Sequence, residues 1–391
     1  MSDLPQLPLA RRDRLDVSTE YRELRRRTPI ARVRTRAGDE AWLVSGYEDV
    51  RRVLADRRFG RSHPDPANAP RISNSVLIGG PMGDHATERE RDERMRRLLV
   101  PAFSPRRMKA LGGHVQDLVD GLLDRIAGMG PPVDLHEHLS FPLPVLVICE
   151  LLGVPYADRD RFRALADRMA DLTDPLSAAA ARTDLGVYIH GLVVAKRRRP
   201  ADDVLSDLAT MDADDEEIAS LGAGLLFAGH ETTMTRIDHG VVILLSDLGR
   251  RDALARDPES AAGVVEEVLR VAAPSDHGLI RYAREDVPLG EVTIRAGEAV
   301  VVLTEAANRD ETVFSAPDDF EPGRAGAERH VAFGYGPHFC IGAHLARLEL
   351  RTVFATLFRR FPTMELARPV ADLQMRSGML TGGFAELPVT W

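Results

Sequence analysis

Apolar residues recur at three- and four-residue spacing over much of the chain, which is the pattern of amphipathic helices. The stretches "GGHVQDLVDGLLDRIAGMG" at 112–130 and "YADRDRFRALADRMADL" at 156–172 both show it, and "PADDVLSDLATM" at 200–211 predicts a short helix. Strand patterns are short: "IARVRT" and "AWLVSG" form a predicted hairpin around "RAGDE", and strand character returns in "VTIRAGEAVVVLT" at 292–304 and near the C-terminus. We therefore expect a mainly α fold with a minor β portion, in a single domain over residues 1–391.

The longest helical pattern runs from about residue 215 to 249 and predicts a helix of about 50 Å. Its middle is apolar on nearly all sides, so we expect it to be buried. The polar stretch "AGHETT", residues 228–233, interrupts that middle. Two interpretations are open: a glycine kink with threonines that bond to the preceding turn, or a widened turn that makes room for a ligand beside a proton-carrying pair.

The composition of the chain argues against nucleic-acid-binding, membrane-spanning and secreted proteins. The 391 residues are 44% hydrophobic and 28% charged, as in globular proteins with a substantial core, and the net charge of −9 argues against nucleic acid or an anionic membrane as a partner. The most apolar region, "LSFPLPVLVICELLGVP", is broken by prolines and polar residues, and the N-terminal residues do not look like a signal peptide. We expect a soluble, cytoplasmic protein.

One of the two cysteines lies in an unusual loop, "FGYGPHFCIG" at 333–342. Gly334, Gly336 and Gly342 allow the positive φ angles of a tight loop, and a helical pattern follows at once. A helix N-terminus favours an anion and lowers the pKa of a nearby thiol, so Cys340 is a candidate thiolate ligand. Zinc and iron–sulfur sites need further ligands, and Cys149 lies in an apolar stretch far along the chain. A single thiolate suits haem iron.

This loop resembles the haem-binding signature of the cytochrome P-450 family. The residues of "FGYGPHFCIGAHLA" that fall on its positions are Phe333, Gly336, Cys340, Gly342 and Ala346. "EEVLR" supplies Glu267 and Arg270, "FEPGR" supplies Arg324, and "AGHETT" matches the family's oxygen-activating helix. The agreement covers essentially the whole chain and is with the soluble bacterial members.

The resemblance implies a haem-thiolate monooxygenase. Haem b, iron protoporphyrin IX, would lie between the long central helix and the helix after the cysteine loop, with Cys340 as the axial ligand and Phe333, Gly334 and Gly342 around it. A thiolate ligand favours O–O cleavage. Glu231 and Thr232 match the acid and alcohol that deliver protons in the family. Glu267, Arg270 and Arg324 match a structural ion network.

The haem propionates require cationic or hydrogen-bonding partners, and the family positions fall on His338, Arg281 and Arg96. There is one departure from the family pattern. Asp92 stands four residues before Arg96, where a histidine is usual, whereas a histidine–arginine pair of that spacing, His85 and Arg89, occurs seven residues earlier. We keep Arg96 rather than Arg89 as the expected contact. Asp92 would repel a propionate unless Arg96 lies between them.

Partners follow from the same resemblance. A medium-sized, partly polar organic substrate and dioxygen would react, and a ferredoxin with its ferredoxin reductase would supply electrons to a monomeric protein. We expect arginines to bracket the cysteine side of the protein, either as a docking face or as an ordinary solvated surface: Arg96, Arg97, Arg106, Arg107, Arg347 and Arg351. By resemblance the substrate pocket draws on residues 62–88, 170–182, 225–231, "PSDHGLI" and "GMLTG".

Two alternatives to simple oxygen insertion stay open. An enzyme of the same family can couple radicals or close a ring, and the sequence does not separate this outcome from hydroxylation or epoxidation. A non-catalytic haem-thiolate sensor is the third hypothesis. The Glu231–Thr232 pair argues against a sensor, because a sensor does not need a proton relay.

The assignment of Cys340 predicts a spectroscopic difference between the two cysteines. The reduced carbon monoxide complex of the purified protein should absorb at the long wavelength typical of thiolate ligation. Cys340→Ser should lose this band, because the hydroxyl is a poor iron ligand, whereas Cys149→Ser should keep it. A band at the shorter wavelength typical of histidine ligation in the active protein would refute the assignment.

Overall fold

The computed structural model describes residues 4–11, 13–274, 278–376 and 378–391. The chain is mainly helical, as its hydrophobic periodicity predicts. The helices are α1 Thr19–Arg27, α2 Tyr47–Ala55, α3 Glu88–Leu99, α4 Pro105–Met129, α5 Pro142–Leu152, α6 Arg159–Ala170, α7 Pro175–Arg198, α8 Val204–Ala209, α9 Asp215–Leu245, α10 Leu248–Arg256, α11 Ala261–Val271, α12 Thr304–Ala307 and α13 Ala343–Arg360.

The β portion is minor and its strands are short. They are β1 Ile30–Arg34, β2 Glu40–Val44, β3 Phe59–Gly60, β4 Val133–Asp134, β5 Leu279–Ala283, β6 Val287–Leu289, β7 Val292–Ile294, β8 Ala299–Val302, β9 Glu365–Leu366 and β10 Pro388–Thr390. The predicted hairpin near the start is the antiparallel pair β1–β2, with Ile30 opposite Val44.

The chain divides into two compact units. The first contains the chain up to Glu93 together with Glu266–Cys340, and the second contains Arg94–Val265 and Ile341–Trp391. The single domain predicted over residues 1–391 stays a prediction. Among the described residues, no helix is both long enough and apolar enough to cross a membrane.

The first unit is built on a sheet in the order β1-β2-β8-β5-β3. Successive side chains of a strand point to opposite faces. In β8, Val300 and Val302 pack with Val50 and Val53 of α2 on one face, whereas Val301 joins the hydrophobic cluster on the other. Both faces of the sheet are therefore covered, which explains why β8 is apolar at every position.

The second unit is organised around α9, whose apolar surface is covered by α5, α7, α10 and α13. The side chain of Asp214 caps its first turn by accepting from the N–H of Glu217 at 2.7 Å. The helix ends at Leu245, earlier than the predicted residue 249, because Asp247 caps a new helix by accepting from the N–H of Gly249.

The "AGHETT" stretch keeps α-helical geometry, so the widened turn considered for residues 228–233 does not form. A π-helical turn occurs instead at His136–Ser140, which packs against α9. Gly229 has a packing reason, because a Cβ atom there would lie 3.1 Å from Cδ1 of Ile148 on α5. Thr232 bonds back to the carbonyl of Ala228 in the preceding turn, as the first of the two interpretations has it.

A buried ion network joins α11 to the segment 308–324 in the first unit. Glu267 accepts two bonds of 2.7 Å from the guanidinium of Arg270, and Arg324 donates from Nε to the same carboxylate at 3.0 Å. Arg270 also donates to the backbone carbonyls of Asn308, Pro317 and Asp319. The side chains of Glu267 and Arg270 have no exposed surface, so each buried charge depends on the others.

This network makes a prediction about stability and pH. Burial by itself would raise the pKa of the Glu267 carboxyl, but the bonds from Arg270, the N–H of Glu321 and Arg324 together lower it below its ordinary value. A lowered folded-state pKa contributes stability above the unfolded pKa of about 4.3, and this contribution is lost as the pH falls through the folded pKa. Glu267→Gln should lower the free energy of unfolding by about 3 kcal/mol at pH 7, because it leaves buried cations uncompensated.

Chemical denaturation at pH 7 and below pH 4 measures this difference. The gap between the wild type and Glu267→Gln should narrow as the pH falls through the folded-state pKa of Glu267, because the wild-type side chain then loses its charge. The matched control is Glu328→Gln, a substitution at an exposed glutamate of the same unit. A gap of equal size at both pH values would show that the charge of Glu267 contributes nothing.

Candidate functional site

The cysteine loop has a fixed backbone. The N–H of Cys340 donates to the carbonyl of Phe333 at 2.9 Å, and Gly334 and Gly336 adopt φ angles of +72° and +70°. The Cys340 side chain is exposed, and α13 begins three residues later with Gly342 as its N-terminal cap residue. The loop therefore presents the thiol just before a helix N-terminus, as the sequence predicts.

Asn308 connects this loop to the buried ion network. Its Oδ1 accepts from the N–H of Val331 at 2.7 Å, and its carbonyl accepts from Arg270 at 3.0 Å. The carbonyl of Val331 then accepts from the N–H of Gly334 at 2.9 Å. Buried hydrogen bonds therefore run from Glu267 to the start of the cysteine loop. Sequence reasoning missed Asn308, because no motif distinguishes it from other loop asparagines.

Cationic groups gather on the same unit. The guanidinium of Arg281, on β5, is buried and donates to the carbonyl of Ile280 at 2.8 Å. Burial, and then the charge of Arg61, lower the pKa of Arg281 to about 10. Burial and repulsion from Arg61 and Arg281 lower the pKa of His338 to about 4, so the imidazole is neutral near pH 7. An anionic ligand beside these groups would offset their repulsion.

Asp92 lies against this cluster. It accepts a hydrogen bond from Nη2 of Arg61, and its other oxygen is 3.7 Å from Nδ1 of His338. Arg61 therefore pairs with the Asp92 carboxylate. From the sequence, only Arg96 was expected near this carboxylate. Arg96 lies one turn further along α3 and is half-buried. Arg61 was missed because it is 31 residues from Asp92 and belongs to no recognised motif.

In the second unit, Thr232 lies on the one exposed stripe of the middle of α9. Gly224, Ala228 and Thr232 are spaced by four residues and are exposed, whereas Glu231 and Thr233 on either side of Thr232 are buried. Oγ1 of Thr232 donates to the carbonyl of Ala228 at 2.8 Å. Small residues thus leave the hydroxyl accessible on a helix that is otherwise core.

Glu231 is 1% exposed and is held by the C-terminal segment. Thr381 donates to its Oε2 at 2.5 Å, and Nη2 of Arg376 lies 3.8 Å from its Oε1. Burial raises the pKa of Glu231 above its ordinary value, although Arg376 and the Thr381 hydrogen bond act in the opposite direction. From the sequence, Thr381 was predicted only as part of the pocket segment "GMLTG", and no role was predicted for Arg376.

His230, next to Glu231, is fully buried between the rings of Phe141 and Phe162. Burial lowers its pKa to about 3, so the imidazole is neutral. Within the described part of the chain, neither of its nitrogens has a hydrogen-bond partner. We interpret His230 as a core aromatic residue.

Two of the segments expected to form a pocket are joined directly in the second unit. The N–H of Leu172 donates to the carbonyl of Gly378 at 2.7 Å, and the N–H of Leu380 donates to the carbonyl of Ala170 at 2.8 Å. In the predicted segment "PSDHGLI", Ser275, Asp276 and His277 lie outside the described residues.

The predicted site residues thus fall into two groups. The first unit carries Phe333, Gly334, His338, Cys340, Arg281, Glu267, Arg270 and Arg324. The second unit carries Glu231, Thr232, Gly342 and Arg96. One group offers a thiol with nearby cations, and the other offers a buried carboxyl beside an accessible hydroxyl.

Known proteins are similar to this chain in both sequence and fold. The sequence model of the cytochrome P450 family matches residues 261–381. Pentalenolactone synthase of Streptomyces exfoliatus is 43% identical over an alignment that covers all of both chains. Two solved structures match over the full length of both chains: the putative thioether synthase SgvP of griseoviridin tailoring, with a TM-score of 0.92 at 38% identity, and the pimaricin epoxidase cytochrome P450 PimD, with 0.90 at 40%.

The geometry of the cysteine loop predicts unequal effects of two glycine substitutions. Both glycines have positive φ, so alanine at either should cost about 1–2 kcal/mol of stability. At Gly336 the new Cβ would also lie 2.9 Å from Cα of Ala55, a backbone atom, whereas at Gly334 the nearest atom is 3.7 Å away. Gly336→Ala should therefore lose a further 1–3 kcal/mol or so, as overpacking does. Equal free energies of unfolding for the two variants would contradict this loop geometry.

Proposed function

The chain belongs to the cytochrome P450 family and is a haem-dependent monooxygenase, and we propose that it oxidises a medium-sized natural product in a biosynthetic tailoring step. The full-length relatives include an epoxidase and a synthase of natural products, which supports this substrate class. The observation that carries oxygen-activating turnover is the accessible Thr232 hydroxyl beside the buried Glu231 carboxyl.

The residues of the chain fit haem b. Cys340 would supply a thiolate ligand to the iron from an exposed side chain on a fixed loop. The buried guanidinium of Arg281, with Arg61 and His338, suits the negative charge of a propionate, and Arg96 is the fourth candidate. Phe333, Gly334 and Gly342 would shape the loop around the ligand. Haem, when bound, supplies the iron at which dioxygen is reduced and split.

In the proposed mechanism, the chain's own residues Glu231 and Thr232 deliver protons. Burial raises the pKa of the Glu231 carboxyl, which favours its protonated form relative to that of an exposed glutamate and suits it to act as a general acid. Glu231 would supply the proton from its Oε atoms, and the hydroxyl of Thr232, the next residue, would pass it to the substrate side of α9.

Two other outcomes were open from the sequence. Radical coupling or ring closure would use the same residues, and the similarity to a putative thioether synthase keeps this alternative open. A sensor without turnover is disfavoured, because a binding protein has no use for an accessible hydroxyl beside a buried acid.

Electron supply completes the proposal. We expect a ferredoxin and its ferredoxin reductase as donors, to a monomeric protein in the cytoplasm. The arginines considered as a docking face all belong to the second unit. One of them, Arg107, already pairs with Asp207 at 2.5 Å, which reduces its contribution to such a face.

The proposal predicts uncoupled turnover in Thr232→Ala. Haem and substrate binding should persist, because neither depends on this hydroxyl, and reduced nicotinamide should still be consumed. Without the hydroxyl, proton delivery fails, so more hydrogen peroxide and less product should form per electron pair. Glu231→Gln should slow the whole cycle by about 100-fold or more, since the amide cannot act as a general acid.

The matched control is Thr352→Ala on α13, because Thr352 makes the same bond to the carbonyl four residues earlier, at 2.9 Å to Leu348. This variant should keep the wild-type ratio of product to peroxide. Unchanged product yield per electron in Thr232→Ala would place the relay elsewhere, for example in a substrate hydroxyl. If neither Thr232→Ala nor Glu231→Gln altered turnover, the sensor would be the better hypothesis.

A further inference from the structure

Glu231 is surrounded by titratable and polar groups from three other elements of the second unit. Arg376 and Thr381 come from the segment 376–381, Asp167 comes from α6, and His136 comes from the π-helical turn. His136 is engaged elsewhere, because its Nδ1 bonds to the buried Asp238 at 2.8 Å. Burial alone would lower the pKa of His136, but Asp238 raises it, so this pair largely balances its own charge. Among the groups of the described residues named here, Arg376 is the cation that remains for Glu231.

Arg376 is shared between two carboxylates through one nitrogen. Its Nη2 is 3.4 Å from Oδ1 of Asp167 and 3.8 Å from Oε1 of Glu231. Only the first distance is a hydrogen bond, and Oε1 of Glu231 has no hydrogen-bond partner among the residues that the structure describes. The side chain of Asp167 is 47% exposed, whereas that of Glu231 is 1% exposed. The guanidinium therefore hydrogen-bonds to the surface carboxylate and stays within ion-pair distance of the buried one.

We propose that Asp167 and Arg376 are positioning residues that set how readily Glu231 releases its proton. The proposal rests on the proposed function of Glu231 as the proton donor. Asp167 shares the positive charge of Arg376, which favours the protonated form of the buried carboxyl. If Asp167 were absent, the guanidinium would move onto Oε1 of Glu231 and stabilise the carboxylate, which would then be a poor acid.

The backbone also fixes the positions of these side chains relative to one another. The segment that carries Arg376 and Thr381 is tied to the end of α6 by the two backbone hydrogen bonds between residues 170–172 and 378–380. Asp167 lies on α6, one turn before its last residue, Ala170. The two carboxylates and the guanidinium are thus carried by elements that are fixed to each other, and Thr381 holds the second oxygen of Glu231 from the same segment.

The test compares two substitutions that remove opposite charges from one ion pair. Infrared difference spectroscopy of the resting holoenzyme follows the carboxylic C=O band of Glu231 with pH, and Glu231→Gln identifies that band by its loss. Asp167→Asn should lower the apparent pKa of Glu231 by about one unit, because a negative charge is lost and Arg376 approaches. Arg376→Gln should raise it by a similar amount, because the positive charge is lost.

The matched control is Asp160→Asn, which removes a carboxylate of the same helix whose side chain is 86% exposed. It should leave the band unchanged. Opposite shifts in Asp167→Asn and Arg376→Gln support the proposal, because a general loosening of the segment would move both in one direction. Shifts of the same sign, or none, would overturn it.

Turnover separates this proposal from the proposed function. The pH profile of product formed per nicotinamide consumed should shift to lower pH in Asp167→Asn and to higher pH in Arg376→Gln. If the infrared shifts are opposite but Glu231→Gln has normal turnover, Arg376 and Asp167 still position Glu231, and the assignment of Glu231 as proton donor fails. If Glu231→Gln loses turnover but the band does not respond to either variant, only the positioning proposal fails.

Discussion

The buried guanidinium of Arg270 is the constraint on which the first unit depends. A cation without solvent must be paired and fully hydrogen-bonded, and Glu267 with three backbone carbonyls achieves this. One of those carbonyls belongs to Asn308, whose side chain holds Val331 at the start of the cysteine loop. Residues that take no part in chemistry therefore fix the loop that presents Cys340.

The second unit has a different requirement. There, polar groups must stay reactive within an apolar helix, whereas the charge of Arg270 is fully compensated. Glu231 is buried but only partly compensated, by one hydroxyl and a distant guanidinium. This differs from Glu267, which accepts from two arginines and a backbone N–H. Burial is common to both carboxyls, but the number of donors lowers the pKa of one and leaves that of the other raised. The structural and the chemical carboxylate are distinguished by their partners.

Sequence patterns identified what is local in the chain. Periodicity gave the helical class, the first hairpin and most of α9, and the glycine-rich loop pointed to Cys340. Contacts between segments that are distant in the sequence could not be predicted from it. These are the contact of Arg61 with Asp92, the hydrogen bond of Asn308 to the segment before the cysteine loop, and the contacts of Arg376 and Thr381 with Glu231. These partners are arginines, threonines and asparagines in ordinary loops, and only the fold brings them to the site. The end of α9 was missed for a local reason, because the cap residue Asp247 lies inside a continuous apolar pattern.

The Glu267–Arg270 network also bears on the rates of folding and unfolding. The carbonyls that satisfy Arg270 lie 38, 47 and 49 residues further along the chain. Closing loops of this length costs chain entropy before any hydrogen bond is gained, so we expect these contacts to form after the local helices. Interactions absent from the transition state slow unfolding without speeding folding. The network that supports the cysteine loop would then act mainly on the lifetime of the native state, and the thiol would be retained in place by a barrier as well as by an equilibrium.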